Sequence, residues 1–475
     1  MKDEYAILIN GDWCTGAYTR PVLNPYDGSR IAEVHRADRR QIALAVEAAQ
    51  AGFKTMRRLP SYRRAEILRQ TAHALRKHAD ELARIITLES GKPIREARVE
   101  VERGATTFAL AADEALRITG ELLPLDIHEI AGDRLGIVAR FPLGVIFAIT
   151  PFNFPLNLVA HKVAPAFAAG NTVVLKPSSN TPITALRLGE FLLDAGLPSE
   201  AFHITPSSPS DAEPLLSDSA IKMVTFTGSP AVGWDLKSRC GRARICLELG
   251  GNAAAIVEPD AELEHAVRRC IIGGYAFAGQ ICISLQRIFL QEKIAERFTA
   301  EFLKGVQSLR AGNPLDESTQ IGPMIDEEAA IQTEERVNQA VQCGARVLCG
   351  GRRRGNFYEP TILENVPAQL PVVNQEVFAP VTIIQRYADF DQAIEEVNCS
   401  DFGLQAGLFC SNIQKIMRAF NRIEVGGLII NDVPTYRVDH YPYGGVKASG
   451  LGREGVHYAV EEMTERRILV LQNER

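Results

Sequence analysis

What this chain lacks removes several classes of protein. It has no unbroken stretch of about 20 apolar residues of the kind a membrane helix needs. Its most apolar segment, Leu143 to Leu175, is interrupted by Pro151, Asn153, Pro155, His161, Lys162 and Pro165, so it reads as buried core and no membrane contact is expected. It has no basic block longer than Arg352-Arg353-Arg354, a triplet expected on a solvated loop. With 52 Lys and Arg against 58 Asp and Glu the formal charge is -6, and no nucleic-acid partner is expected. The 9 cysteines (Cys14, Cys240, Cys246, Cys270, Cys282, Cys343, Cys349, Cys399 and Cys410) form no CxxC pair and follow no regular spacing. That argues against a disulfide framework or a metal site, and most of these thiols are expected to act as small buried hydrophobes. The start Met1-Lys2-Asp3-Glu4-Tyr5 has no apolar signal region behind a basic one, so the expected location is the reducing cytoplasm. There is no low-complexity linker and no internal repeat.

What remains is an ordinary globular composition, 46% hydrophobic and 23% charged with mean hydropathy -0.04 over 475 residues. At roughly 100–200 residues per domain, that length leaves room for two or three domains. From about Asp38 to Leu116 the apolar period is helical, with Ile42, Ala45, Val46 and Ala49 on one face and Ile67, Leu68, Ala72 and Leu75 on another. From Gly144 the rhythm becomes strand–helix alternation. Strands are predicted at Val145–Ile149, Thr172–Leu175, Ala201–Ile204, Met223–Phe226 and Ile245–Leu247, and helices at Leu156–Ala168 and Ile183–Asp194. A second series starts at Ala253–Val257 and continues through Ile288–Leu290, which places a boundary near Gly250-Gly251. Such alternation builds parallel sheets covered on both faces. The tail Ile468–Leu471 reads as a short apolar strand, an edge that needs a covering segment or subunit.

Four segments carry chemistry. Gly228-Ser229-Pro230-Ala231-Val232-Gly233 follows a strand, with Ser229 suited to cap a helix and Pro230 to begin it. Free N–H groups at such a start attract phosphate, although the glycine spacing is not GxGxxG and an unliganded helix start explains it equally. In Phe277-Ala278-Gly279-Gln280-Ile281-Cys282-Ile283-Ser284 a thiol lies beside glycine in a loop open to substrate, against the simpler reading of a buried cysteine. In Leu247-Glu248-Leu249-Gly250-Gly251-Asn252 a carboxylate ends a buried strand, where burial raises its pKa toward that of a general base unless a Lys or Arg pairs it. In Thr150-Pro151-Phe152-Asn153-Phe154-Pro155 an amide held between prolines could donate to an oxyanion, or simply make a turn.

Together and in this order, these segments resemble the aldehyde dehydrogenases. The likeness runs from Asn24-Pro25 and Glu89-Ser90-Gly91-Lys92 to Tyr443-Gly444-Gly445-Val446-Lys447-Ala448-Ser449-Gly450. It implies an α/β fold with a Rossmann-type cofactor domain (1–119 and 142–249), an α/β catalytic domain (250–435) and a small β element for oligomerisation (120–141 and 460–475). It implies a homodimer or homotetramer, with the site in the cleft between the first two domains. It implies that an aldehyde is oxidised to a carboxylic acid with NAD or NADP, through a thiohemiacetal and then a thioester on Cys282. Asn153 and the backbone N–H of Cys282 are then expected to hold the oxyanion, and Glu248 to activate water. On the cofactor side the likeness assigns Lys176 to the adenosine ribose, and Gly228, Ser229 and Gly233 to the pyrophosphate turn. Thr150, Phe152 and Leu249 are expected nearby, with Glu376 and Phe378 at the nicotinamide ribose and ring. Lys447 and Gly450 are expected in a closing loop.

Two departures from the family pattern matter. Many NAD-using members carry Glu where this chain has Ser179, and a serine does not repel a 2′-phosphate, so NADP is expected to be accepted. The family often has Trp where Phe152 stands, a mild change. Arg103 and His161 are expected to point into the substrate tunnel, with Arg437 and His440 at its outer end, a set that suits a small aldehyde carrying a carboxylate or phosphate tail. The plainer alternative pairs Arg103 with Glu100 one turn back. Other readings are a CoA-acylating dehydrogenase, against which Glu248 counts, a reductase of activated acyl groups, and a catalytically silent binding protein.

Overall fold

The structure is a computed structural model that describes residues 1–472; residues 473–475, the end of the expected 460–475 bridging strand, lie outside the described residues. The helical region resolves into Arg39–Met56, Ser61–Lys77, Ala79–Ser90 and Ile94–Ala115. The first begins with a capping box: Asp38 accepts from the backbone N–H of Gln41, whose own side chain accepts from the Asp38 N–H. Both apolar faces predicted from the sequence are buried.

An 8-stranded sheet runs in the order Gly450–Leu451, Arg244–Glu248, Ile221–Thr227, Val145–Ile149, Thr172–Lys176, Phe202–Ile204, Ile7–Ile9, Asp12–Cys14. Arg244–Glu248 through Phe202–Ile204 are mutually parallel. The chain lays down Val145–Ile149, steps outward to Thr172–Lys176 and Phe202–Ile204, then returns to the other side of Val145–Ile149 with Ile221–Thr227. The strand order therefore reverses between Val145–Ile149 and Ile221–Thr227, and ligand crevices form at the carboxyl ends of strands flanking such a switch. Register aligns Ile149 with Lys176 and with Phe226, and Thr227 with Glu248. Thr150, Lys176, Gly228 and Glu248 therefore share one edge.

Only 249–252 separate that edge from Ala253–Val257, the start of the second-sheet series. This sheet is 7-stranded, in the order Arg346–Cys349, Thr361–Glu364, Val381–Tyr387, Leu285–Gln291, Ala253–Val257, Gln405–Phe409, Gly427–Ile430. The short connection brings the carboxyl edge of the first sheet against the amino edge of the second. A third, 3-stranded sheet joins Glu121–Pro124, Arg134–Pro142 and Thr464–Gln472, with Thr464–Gln472 at its outer edge. There the side chains of Ile468 and Leu469 are each 55% exposed.

Some expectations fail. The apolar pattern does not predict the strands Ile7–Ile9, Asp12–Cys14 and Arg30–Arg36, which the structure contains. Of the cysteines only Cys240, Cys246, Cys270 and Cys410 are buried, while Cys343 and Cys399 are exposed and none is bridged. The Arg triplet is not a plain solvated loop, because Arg353 starts a short strand and is tied to Glu327 and Glu334. Among the described residues no helix is long and apolar enough to cross a membrane.

Candidate active site

The loop that presents Cys282 is strained. Phe277, Ala278 and Gly279 follow one another at φ 47, 52 and 71, the left-handed region that costs a non-glycine residue about 1–2 kcal/mol. Gly279 has no alternative, since a Cβ there would meet the Ala379 carbonyl oxygen at 2.1 Å. Gln280, fully buried, locks the turn: its Nε2 donates to the carbonyls of Phe277 and Pro323, and its Oε1 accepts from the Ile325 N–H at 2.8 Å. The Asn153 amide donates to the Gln280 carbonyl at 3.0 Å, which ties the first sheet's ligand edge to the thiol loop. Its Oδ1 is buried without a partner.

Cys282 is partly accessible, and its Sγ lies 3.1 Å from the hydroxyl of Tyr443. Burial pushes the thiol pKa up to about 11; the Tyr443 hydrogen bond and the charge of Arg437 oppose that rise, and Glu376 and Glu248 add to it. Glu248, the last residue of its strand, is 3% exposed and neither carboxylate oxygen has a hydrogen-bond partner. The Lys or Arg pairing weighed from the sequence is absent. Burial, and next the negative charge of Glu454, raise this carboxyl well above the usual range. The two glycines that follow serve packing. A Cβ on Gly250 would meet the Glu376 carboxylate at 2.2 Å, and one on Gly251 would meet the Cys282 carbonyl oxygen at 2.4 Å. The closing loop expected around Lys447 and Gly450 pairs with the strand that bears the carboxylate, Glu248 opposite Gly450, and a Cβ on Gly444 would lie 2.9 Å from Glu248 Oε1.

A cavity of about 510 Å³ reaches Cys282. Its wall carries Lys92, Arg95, Arg103, Arg269 and Arg437, against the acids Glu96 and Glu100. Glu100 is occupied, ion-paired with buried Lys92 and accepting from the Leu156 N–H at 2.9 Å. Arg103 therefore does not pair with Glu100. It binds Asp439 instead, Nη2 to Oδ1 at 2.7 Å and Nε to Oδ2 at 3.2 Å. His161 corrects the sequence reading: it is 1% exposed, lies off the cavity wall, and puts Nε2 2.9 Å from the same Asp439. Burial, with Arg437 nearby, depresses its pKa. His440 is exposed and likewise off the wall. Arg437 lies on it, salt-bridged to Glu454 at 3.0 Å and stacked 3.6 Å from the centre of the Tyr443 ring.

Of the expected cofactor residues, Thr150, Lys176, Gly228 and Ser229 lie at the carboxyl edge of the first sheet, while Phe152, Glu376 and Phe378 line a separate cavity. Ser229 caps Pro230–Arg239 with a side chain that makes no cap hydrogen bond, and so keeps its hydroxyl and the helix start open to a phosphate. Gly233 allows that helix to seat on Leu249, whose Cδ2 would lie 2.3 Å from a Cβ there. Thr150 is tied to the Lys176 carbonyl at 3.2 Å. Burial, and then the nearby Arg36, lower the Lys176 pKa to about 8. Arg36, at the end of the strand Arg30–Arg36, carries no sequence signal that marks it as part of this site. It is 2% exposed and donates Nη2 to the Ser179 carbonyl at 2.8 Å, while its Nε and Nη1 have no partner. At the other end, Phe152, Glu376 and Phe378 line a cavity of about 240 Å³ beside Gln280, with the two phenyl rings edge to face at 5.9 Å. Glu376 accepts from the Gly251 N–H at 3.0 Å, and burial raises its pKa to about 7. Unpartnered cationic nitrogens at one end and an uncommitted helix start between fit a dinucleotide.

A parallel sheet whose order reverses beside an open helix start, abutting a thiol-bearing cavity, is the architecture of a dinucleotide-dependent oxidoreductase. The profile of the aldehyde dehydrogenase family matches residues 13–469. The chain is 46% identical over 469 residues to the 3-sulfolactaldehyde dehydrogenase of Priestia megaterium, covering 98% of each. It is 38% identical over 472 residues to the NADP-linked succinate-semialdehyde dehydrogenase of Escherichia coli, covering 96% of each. The crystal structure of aldehyde dehydrogenase 21 from Physcomitrella patens, solved with the reaction product succinate, superposes with a TM-score of 0.98 at 43% identity, covering 100% of this chain and 99% of that one. This chain belongs to the aldehyde dehydrogenase family, and it is an enzyme that oxidises aldehydes with NAD or NADP.

Proposed function

We propose that the substrate is a small aldehyde with a strongly anionic tail, such as a sulfonate or carboxylate, and that Cys282, Asn153 and Glu248 carry its oxidation. The observation that carries this reading is the cationic wall of the 510 Å³ cavity that ends at Cys282. Arg437, stacked and salt-bridged, and Arg103, clamped by Asp439, are the fixed guanidinium groups suited to an oxyanion tail, and Arg95 adds charge at the exposed rim. The relatives named for sulfolactaldehyde and succinate semialdehyde act on aldehydes of this kind.

In this reading the Cys282 thiolate attacks the carbonyl carbon, and the new oxyanion accepts hydrogen bonds from the Asn153 amide and the Cys282 N–H. Lys176, Ser229, Glu376 and Phe378 hold NAD or NADP, which when bound supplies the hydride acceptor. The acyl group left on sulfur is hydrolysed by water that gives its proton to Glu248, whose lack of any partner leaves it free for that task. Arg36 and Lys176 beside Ser179, with no carboxylate to oppose them, favour acceptance of the 2′-phosphate of NADP. The exposed apolar edge Thr464–Gln472 serves docking to a second copy, measurable as a dimer or tetramer by light scattering.

The test is reduced-nicotinamide production from sulfonated, carboxylated, phosphorylated and neutral aldehydes of matched length, with NAD and NADP separately and Cys282→Ala alongside. Anionic aldehydes are expected to have the higher kcat/KM, with turnover abolished in the variant. Equal kcat/KM for neutral and anionic aldehydes overturns the substrate reading.

A further inference from the structure

Tyr443 has no role in the chemistry above, yet its hydroxyl touches the sulfur on which that chemistry depends. The phenol is 2% exposed and held on several sides. Its backbone exchanges hydrogen bonds with Glu454, at 3.0 Å and 2.6 Å, and its ring carries the Arg437 guanidinium 3.6 Å above its centre. The same Arg437 donates to the Glu454 side chain at 3.0 Å, so ring, cation and carboxylate close a loop that fixes the hydroxyl. Ile283, Leu404 and Tyr441 pack around it with Cys282. Burial, and next the neighbouring sulfur, raise the phenol pKa well above its usual value, and Arg437 opposes this only in part. At working pH the group is therefore an O–H donor.

We propose that Tyr443 is a further catalytic residue, whose hydroxyl donates a hydrogen bond to the Cys282 thiolate, stabilising it and aiming it at the aldehyde. The inference rests on Cys282 being the nucleophile. The phenol keeps its proton throughout. The thiol proton goes to solvent, the sulfur electron pair forms the C–S bond, and negative charge passes to the carbonyl oxygen, so the O–H···S contact weakens. Loss of hydride to the nicotinamide coenzyme, the oxidation this enzyme performs, turns the adduct into a thioester; when hydrolysis then breaks its C–S bond, the electron pair returns to sulfur and the hydrogen bond strengthens again.

Tyr443→Phe removes the hydroxyl and keeps the ring under Arg437. The readout is the rate of inactivation by iodoacetamide between neutral pH and about pH 9, with the labelled cysteine mapped by peptide mass. A hydrogen bond to a charged acceptor shifts such a thiol by about one pKa unit; part of the lost thiolate is offset by greater intrinsic reactivity, so labelling of Cys282 is expected to slow about threefold or more across that range. A purely structural role for the ring predicts a lower melting temperature with an unchanged labelling profile. If Cys282 is the labelled site in both proteins and the rates coincide across the range, the proposal falls while the nucleophile assignment stands. If inactivation of the parent enzyme tracks another cysteine, the nucleophile assignment falls, and the proposal with it.

Discussion

Arg103 and Asp439, 336 positions apart in sequence, meet in a two-pronged ion pair on the wall of the substrate cavity, at 2.7 Å and 3.2 Å. Asp439 is 6% exposed and also faces His161 and the amide of Asn157. Removing Asp439 takes the acceptor from the buried His161 ring and from the guanidinium of Arg103, whose side chain is 24% exposed, so Asp439→Ala is expected to lower stability by about 2 kcal/mol, measured by urea unfolding near neutral pH. Burial acts to raise this carboxyl pKa, but His161 and Arg103 win and hold it far below the usual carboxylate range. A depressed folded-state pKa contributes stability above the unfolded value, near pH 4, and loses it progressively below. The gap between parent and variant is therefore expected to narrow on acidification below about pH 4. A gap that widens in acid contradicts the ion-pair account.

The pH dependence of turnover follows from the two acids of the site whose ionisation the surroundings disfavour. Burial raises Cys282 to about 11 and takes Glu248 well above its ordinary value. Both work as anions, the thiolate as nucleophile and the carboxylate as proton acceptor, so raising pH populates the active form of each. The thiolate is expected to make kcat/KM climb from neutral pH to at least about pH 9, and the carboxylate to make the hydrolytic rate climb with it. A maximum near neutrality followed by a fall speaks against these ionisation states.

Glu248→Gln separates acylation from hydrolysis. Neither oxygen of Glu248 has a hydrogen-bond partner, so the isosteric amide fits the same space and the fold is expected to persist. Rapid mixing with aldehyde and cofactor is expected to give a burst of about one reduced nicotinamide per site, then a steady rate about 10²–10⁴-fold below that of the parent. A variant without a burst, slowed equally in both phases, assigns Glu248 to thiol activation instead. Asn153→Ala is expected to slow the first turnover by about 10²–10³-fold and to show no burst, since an oxyanion donor acts in the first step.

The sequence made the strand–helix plan legible because apolar runs bounded by glycine or proline mark buried parallel strands; Ala253–Val257 appears with the bounds read for it. The residues at the switch-point edge were legible for the same reason, being the ends of those strands. The place of His161 is not legible because every residue of the helix Asn157–Ala169 is buried, and a helix without a polar face gives no sign of which side meets a cavity. For Arg103 local spacing offers only Glu100, a neighbour one turn away, and cannot reveal a partner as distant as Asp439. Arg36 escaped because the short strands near the N-terminus lack a periodic signal. Tyr443 was visible only as part of a glycine-rich turn, and its contact with Cys282 depends on the third dimension.

Cofactor choice offers the sharpest single-residue test. Ser179 lies in the turn whose carbonyl receives the Arg36 guanidinium, next to Lys176. Arg36 is buried with two nitrogens unpartnered, an expensive arrangement that an incoming phosphate would relieve. Ser179→Glu places a carboxylate among these cations, where it satisfies them internally and repels a 2′-phosphate, while leaving a free 2′-hydroxyl something to donate to. The kcat/KM ratio of NADP to NAD is therefore expected to fall by about tenfold or more, about 1.4 kcal/mol of differential binding. Arg36→Leu is expected to raise the KM for NADP more than that for NAD, because it removes charge without altering the turn's own side chain. If both variants leave the ratio unchanged, the adenosine ribose is recognised elsewhere, and the cationic cluster of Arg36 and Lys176 is structural.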